Sequence, residues 1–350
     1  MDSLNEASRD NVHRGAYNES RFAFHVNGGK HINSEHKKQE EHHKSKLSPK
    51  DHKEQDDRAK DMAHHFIQHH EEHEGYKGVD KVHITAKPGD IKKHTGLDIS
   101  HRDNPSDVVV KFKKKPASAP HHYVGASLKS SHQKNISFHA GGTETLGKKI
   151  GIHKEAMKTV KDRHSDLRKK MKIPESHSAK AAQDHIKKNY RVHTDKAAEL
   201  KKEGRHIAHA NYIKKHKKAL SDHKMAVEHT QRTNELLRNH VHNGYKKMHI
   251  DHVKNHLIKN YLKASDKHNS LPYKKVHGMG GGDKEAVSHV HDPHGHMLSS
   301  IRDAKKIEFK KHGHDKTEVH ADGKKVFHLR TKHNGGPLYS TKIQAEGQKE

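Results

Sequence analysis

Apolar side chains are scarce in this chain, and their placement limits what it can fold into. Only 29% of its 350 residues are hydrophobic, against 33% charged. That balance approaches the disordered regime, where too little apolar surface is available to offset chain entropy. The scarce apolar residues are gathered in places. Val82-His83-Ile84, Val108-Val109-Val110-Lys111-Phe112 and His122-Tyr123-Val124-Gly125-Ala126-Ser127-Leu128-Lys129 read as strands, the second preceded by the turn signal Asn104-Pro105-Ser106. Ile136-Ser137-Phe138 reads as a continuation of the same sheet. A second β texture begins at Leu271. There Ile307–Phe309, Thr317–His320 and Lys325–Leu329 alternate, the last two joined by Ala321-Asp322-Gly323, a hairpin signal.

Helical spacing accounts for most of the rest. Ala16, Phe22, Ala23 and Val26 share a helix face that Asn27-Gly28-Gly29 would stop, and Met62, Ala63, Phe66 and Ile67 share another, ended by Gly75. From 145 to 265 Lys, Ala, Glu, Leu and Arg dominate, with apolar residues three or four apart, as in a basic helical arm. The order is therefore helix, sheet, helical arm, sheet, and a helical insertion in one sheet would unite the two β regions.

Charge and residue types exclude several classes. Without cysteine there is no disulfide scaffold, thiolate zinc finger, iron–sulfur cluster or cysteine nucleophile. No apolar run reaches the ~18 residues of a membrane span, and the start Met1-Asp2-Ser3 is not a secretory signal. The chain is thus expected to be intracellular, not secreted and not membrane-bound. With 70 Lys+Arg against 44 Asp+Glu, a net charge of +26 points to a polyanionic partner. Basic stretches such as Lys111–Lys115, Arg168–Lys172 and Lys214–Lys218, with few aromatics for base stacking, favour duplex DNA held through its phosphates. The 45 histidines make the charge conditional, because an imidazole titrates near pH ~6.5. Stability should therefore be higher at alkaline than at mildly acidic pH.

Among motifs, Asp107 opens one strand, and Ser127 and Lys129 share a side of the next. A carboxylate there suits Mg²⁺, a hard cation that takes oxygen ligands, and a nearby lysine can orient an attacking water. His69-His70-Glu71-Glu72-His73 matches the spacing of a zinc protease helix, and His289-Val290-His291-Asp292-Pro293-His294-Gly295-His296 could chelate metal. In a chain so rich in histidine, adventitious Zn²⁺ or Ni²⁺ binding accounts for both. Gly142–Lys148 has P-loop spacing but is followed by Lys149 where Ser or Thr is needed, and reads as a turn. The His- and Asn-rich stretch 239–256 lacks the ββα pattern of a His-Asn-His nuclease.

Asn104-Pro105-Ser106-Asp107-Val108-Val109-Val110, followed by Tyr123-Val124-Gly125-Ala126-Ser127-Leu128-Lys129-Ser130, resembles the core of the PD-(D/E)XK restriction-endonuclease-like superfamily, and within it proteins of large tailed phages. Asn18-Glu19 with Asn27-Gly28-Gly29-Lys30, Leu271–Val276, and Ala321–Lys325 with Arg330 through Lys342 extend the likeness. The resemblance implies an α+β fold with an α/β core: a small mixed β-sheet with a long helical insertion and a basic, partly flexible helical N-terminal region. It divides the chain into N-terminal helices (1–78), a first half of the core (79–144), a basic arm (145–268) and a C-terminal β region completing the core (269–350).

It further implies a Mg²⁺- or Mn²⁺-dependent endonuclease acting in the cytoplasm of a bacterial host. Asp107 would be the main metal ligand, Lys129 the catalytic lysine and Glu19 a second acid from the first helix, with Glu72 as runner-up. Ser127 stands where the superfamily usually has Asp or Glu, which weakens the metal centre and leaves a non-catalytic DNA-binding, DNA-condensing or virion-associated protein as the alternative. Lys111, Lys113, Lys114, Arg330 and Lys342 are the expected phosphate contacts. Oligomeric state is not implied.

Overall fold

A computed structural model describes residues 3–85, 87–99, 104–130, 136–263, 271–293, 295–334 and 336–347. In chain order its elements are α1 (Ser3–Val26), α2 (Ser34–Lys44), α3 (Pro49–Gln68, running on as a π turn over His69–His73), β1 (Lys77–Ile84), α4 (Asp90–Thr95), β2 (Val108–Lys114) and β3 (Tyr123–Ser130). Next come β4 (Ile136–Gly142), α5 (Thr143–Lys149), α6 (His153–Lys170), α7 (Ala179–Ile186), α8 (Val192–Lys202), α9 (His206–Lys215), α10 (Lys217–Lys246) and α11 (Ile250–Leu257). Last are β5 (Tyr273–Gly281), β6 (Lys284–His291), α12 (His296–Asp303), β7 (Ile307–His312), β8 (Lys316–Ala321), β9 (Lys324–His333) and β10 (Thr341–Gly347). The fold class is α+β with a mixed sheet, as expected.

The chain forms two compact units. The first comprises residues 1–138, 257–303 and 348–350, and the second 139–256 and 304–347. The first carries a five-stranded sheet in the order β1-β2-β3-β5-β6. Its joints are antiparallel except β3–β5, which is parallel. Parallel neighbours need a long crossover, and here the chain between β3 and β5 supplies most of the second unit. One face of the sheet is apolar: Val108, Val110, Phe112, Val124, Ala126, Leu128 and Val276 alternate onto it. α1 and α3 cover that face with Phe22, Ala23 and Val26 and with Ala59, Met62, Ala63 and Phe66. Phe22 and Phe66 meet edge to face at 5.7 Å. Burying each such ring stabilises by about 1.5–3 kcal/mol. Among the described residues α1 and α3 are therefore a wall of the core. α3 starts where Ser48 accepts a hydrogen bond from the Asp51 amide and Pro49 presets the first turn.

The second unit has its own sheet, in the order β4-β10-β9-β8-β7, with antiparallel joints from β7 through β10. The hairpin expected at 321–323 is present, with Asp322 and Gly323 at φ of +48° and +83°, as a two-residue turn of that hand requires. α10 lies along this sheet, stacking Tyr245 on Phe309 at 4.4 Å, and Leu167, Met171, Ile186 and Ala226 gather with Leu338 in a helical cluster.

Two expectations change. The C-terminal β region does not complete one sheet: only β5 and β6 join β1–β3, while β7–β10 build a second with β4. Alternation in a strand marks a buried face but not which sheet supplies it. Gly142–Lys148 is not a turn, since α5 begins at Thr143 and encloses Gly147. The 239–256 stretch is helical, in α10 and α11. His294 lies outside the described residues. Among the described residues no helix is long and apolar enough to cross a membrane.

Candidate active site

The segment entering β2 is fixed by its own polar side chains. The Asn104 side chain accepts from the Ser106 amide at 3.1 Å and from the Ser106 hydroxyl, and donates through Nδ2 to the Leu271 carbonyl at 2.7 Å. Thr85 Oγ1 donates to the Ser106 carbonyl at 2.8 Å. These bonds tie the start of β2 to the end of β1 and the approach to β5. The Gly-x-Ser-Leu-Lys strand fits against this turn, because a Cβ at Gly125 would stand 1.8 Å from Ser106 Oγ. The two short motifs quoted from the sequence are thus physical complements: the serine of one occupies the space that the glycine of the other leaves.

This packing orients Asp107. Its amide donates to the Ala126 carbonyl at 2.8 Å, and its Oδ2 accepts from the Leu128 amide at 2.7 Å. Val108 pairs with Ala126, so continuing the register sets Asp107 opposite Ser127. Ser127 in turn pairs with Lys275 of β5. Asp107, Ser127 and Lys275 therefore form a row across three strands. Lys129, two residues past Ser127 and on the same side of β3, is exposed, whereas Ser127 and Lys275 are buried.

Glu19, on α1, is half-buried and electrostatically joined to this group. Burial and then the neighbouring Asp107 charge push its carboxyl up to about 7, against the opposing pull of Lys129. Burial and then Lys129 bring the Lys275 ammonium down to about 7, with Asp107 acting the other way. Asp107, Ser127 and Lys129 thus lie on adjacent strands of the first unit, and Glu19 of α1, also singled out from sequence, lies within electrostatic reach of Asp107 and Lys129. The like-charged Asp107 raises the cost of ionising Glu19, and a divalent cation held between them would relieve it. Their oxygen donors fit Mg²⁺ or Mn²⁺. A strongly shifted acid and base in one cluster is a recurrent mark of a functional site.

Sequence reasoning missed Lys275. Its signal was a consecutive Lys274-Lys275 pair inside an otherwise apolar strand, with Tyr273 and Val276 on either side. Adjacent strand residues face opposite ways, so both lysines cannot reach solvent from a central strand. Lys274 is buried against Glu74 and, at 2.7 Å, Asp292. It has a structural role, whereas Lys275 joins the cluster.

Other expected residues lie elsewhere. Glu72 accepts from Gln68 at 3.1 Å on the π turn and has no part in the cluster. His70 is buried, bonded through Nδ1 to the Phe66 carbonyl at 2.7 Å and packed on Phe112. It is a core histidine rather than a zinc ligand. His65, His69 and His73 do line a pocket of about 430 Å³ with His289, His291 and His296. Of the expected phosphate contacts, Lys113 and Lys114 are exposed at the end of β2, but Lys111 is paired with Asp80 at 3.0 Å. Arg330 and Lys342 belong to the second unit. Arg330 is engaged by Asp315 at 2.6 Å and Glu346 at 3.9 Å, which makes it a structural cation there. Comparison with protein-family models, with curated proteins and with solved structures finds no match to this chain.

Proposed function

We propose that the chain is a metal-dependent endonuclease that hydrolyses phosphodiester bonds in duplex DNA. The observation that carries this reading is the convergence of Glu19, Asp107 and Lys129 at the Asn-Pro-Ser-Asp turn of a mixed sheet. Glu19 and Asp107 would hold Mg²⁺ or Mn²⁺, which when bound supplies Lewis-acid stabilisation of charge developing at the scissile phosphate. Asp107 is preset for this task by the Leu128 amide, which fixes one carboxylate oxygen. Lys129, exposed beside the carboxylates, orients the attacking water and meets the phosphate. The buried hydroxyl of Ser127 is a weaker oxygen donor than the usual acid, so more of the metal's hold falls on Glu19. The exposed Lys113 and Lys114 add phosphate contacts, and the net charge of +26 supports affinity that falls steeply with salt.

The test is nicking of supercoiled plasmid with Mg²⁺ or Mn²⁺ by the wild type, Asp107→Ala and Lys129→Ala. Cleavage by the wild type alone is expected, and equal cleavage by all three would overturn the reading. A second reading, a DNA-binding protein with a degenerate centre, is favoured by one observation: a buried lysine, Lys275, stands in the row with Ser127 and Asp107. Its signature is salt-sensitive duplex binding with no metal-dependent nicking.

A further inference from the structure

His13 of α1 and His42 and His43 of α2 come together, although about 30 residues separate them. His13 Nδ1 and His43 Nδ1 are 3.0 Å apart. Ring centroids lie at 5.9 Å for His13–His42, 5.3 Å for His13–His43 and 5.2 Å for His42–His43. Among the described residues this is the one group of three or more His, Asp or Glu whose ligand atoms all lie within 4.8 Å of one another. The described residues of the runs 69–73 and 289–296, marked from the sequence as able to chelate metal, do not reach that geometry.

Three imidazoles around a tetrahedral Zn²⁺, with Zn–N of about 2.0–2.1 Å, place their nitrogens about 3.3 Å apart. The His13–His43 separation is already near that value. The helices are braced independently of any metal. His36 of α2 bonds through Nε2 to the Ser20 carbonyl of α1 at 3.0 Å, and Arg21 of α1 pairs with Glu40 of α2 at 3.1 Å. The three rings are therefore presented by fixed backbones and need little reordering. His42 is exposed and His13 and His43 half-buried, so a fourth position faces water.

We propose that His13, His42 and His43 form a binding site for one Zn²⁺ or similar borderline transition-metal ion, which clamps the end of α2 to α1. Its all-nitrogen donor set separates it from the carboxylate pair of the candidate active site. Imidazole selects zinc, nickel or copper, whereas Mg²⁺ takes oxygen. The site does not depend on the nuclease reading.

The experiment uses the full chain, purified without a nickel column and stripped with chelator. Zn²⁺ is titrated in competition with a chromophoric chelator, which suppresses weak binding by the remaining histidines, and Co²⁺ absorbance reports a tetrahedral site. One tight equivalent is expected. Losing even an outer partner of a metal ligand costs about 10–100-fold in affinity, so His13→Ala and the exposed His42→Ala should each weaken that equivalent about 100-fold. The paired change His64→Ala with His65→Ala, which removes consecutive helical histidines elsewhere, should leave it intact. A wild type with only diffuse weak binding would overturn the proposal. So would a tight equivalent that survives both His13→Ala and His42→Ala.

Discussion

In the second unit the buried acid Glu346 accepts from His328 at 3.1 Å and lies within 3.9 Å of Arg330 and 3.7 Å of Lys332. Burial works against its charge, yet the His328 hydrogen bond and the flanking cations hold its pKa below the ordinary value. In the first unit Glu19 and Lys275 are pushed the other way, each toward its neutral form. Both units are five-stranded sheets packed with helices, but the second holds Glu346 among its partners, whereas the first, beside its paired Lys274, holds Glu19 and Lys275 strained toward neutrality. Paired charge holds a fold together, whereas strained charge costs stability and persists where chemistry uses it.

Exchanging charge for neutral side chains in each unit tests that contrast. Asp107→Asn and Lys129→Met should cut metal-dependent nicking about 10²–10³-fold, the scale of losing one group that stabilises the transition state. Lys275→Met should also reduce nicking. Because the folded state depresses this lysine's pKa from 10.5 to about 7, the unfolded chain alone is protonated between those values, a penalty on folding that is nearly complete at pH 7, and removing the lysine should raise stability there by about 1–4 kcal/mol. Glu346→Gln should do the reverse, leaving nicking intact and costing about 3 kcal/mol, since it strips His328 and Lys332 of their carboxylate while Arg330 keeps Asp315. Denaturant melts beside plasmid assays separate these outcomes, and a Lys275→Met protein less stable than the wild type would break the comparison.

The packing that aims the strained site is the next target. Gly125→Ala pushes a methyl group into Ser106 and should destabilise by about 3 kcal/mol, with nicking lost beyond what unfolding explains. Adding Ser106→Gly removes the two nearest obstructing atoms, leaving the 3.1 Å approach of Tyr273 Cβ, and should restore much of both. Failure of that rescue would mean the two motifs are not mutually fitted.

Much of the first unit was legible because its signals are local. β-branched runs, the Asn-Pro-Ser turn and the apolar helix face at 22–26 each specify an element from a few residues. The cluster was legible in part because Asp107, Ser127 and Lys129 lie on adjacent strands joined by a short connection. Lys275 was not, because the parallel β3–β5 joint spans a long crossover and no local pattern encodes that register. The split into two sheets was hidden for the same reason. The His13-His42-His43 cluster depends on how two helices dock, which spacing along the chain does not reveal. Part of the histidine excess now has a physical role. Rings such as His70, packed at 4.3 Å on Phe66, are neutral members of the core.

Those neutral rings set a smaller, pH-dependent contrast. Burial brings His70 and His83 in the first unit, and His164, His256 and His333 in the second, down to about 4. Above pH ~6.5 neither state binds these protons. As pH falls below that, the unfolded chain takes them up while the folded one does not, so stability drains away until about pH 4. A fully buried ring such as His70 contributes up to ~1.4 kcal/mol per pH unit, and the half-buried His83 and His164 less. The first unit adds His36 and His43, and the second a larger set, His223, His229, His240 and His242, all lowered chiefly by burial. Hydrogen exchange in the presence of chelator, corrected for intrinsic rates, should therefore show the second unit losing protection first between pH 6.5 and 4.5. Equal loss in both would remove this asymmetry.

The smallest effect concerns the surface of the strained unit. Asp80 and Lys111 pair at 3.0 Å across β1 and β2, each side chain about a third exposed. Such pairs add little to stability, since water screens them and side-chain entropy opposes them. Asp80→Asn should leave the melting temperature unchanged. It should nevertheless return Lys111 to the basic edge it shares with the exposed Lys113 and Lys114. If that edge meets phosphate, one more counterion is released on binding, and the slope of log affinity against log salt should steepen by about 0.9. An unchanged slope would mean that DNA does not lie along β2, and would leave the contrast between the units to rest on the cluster alone.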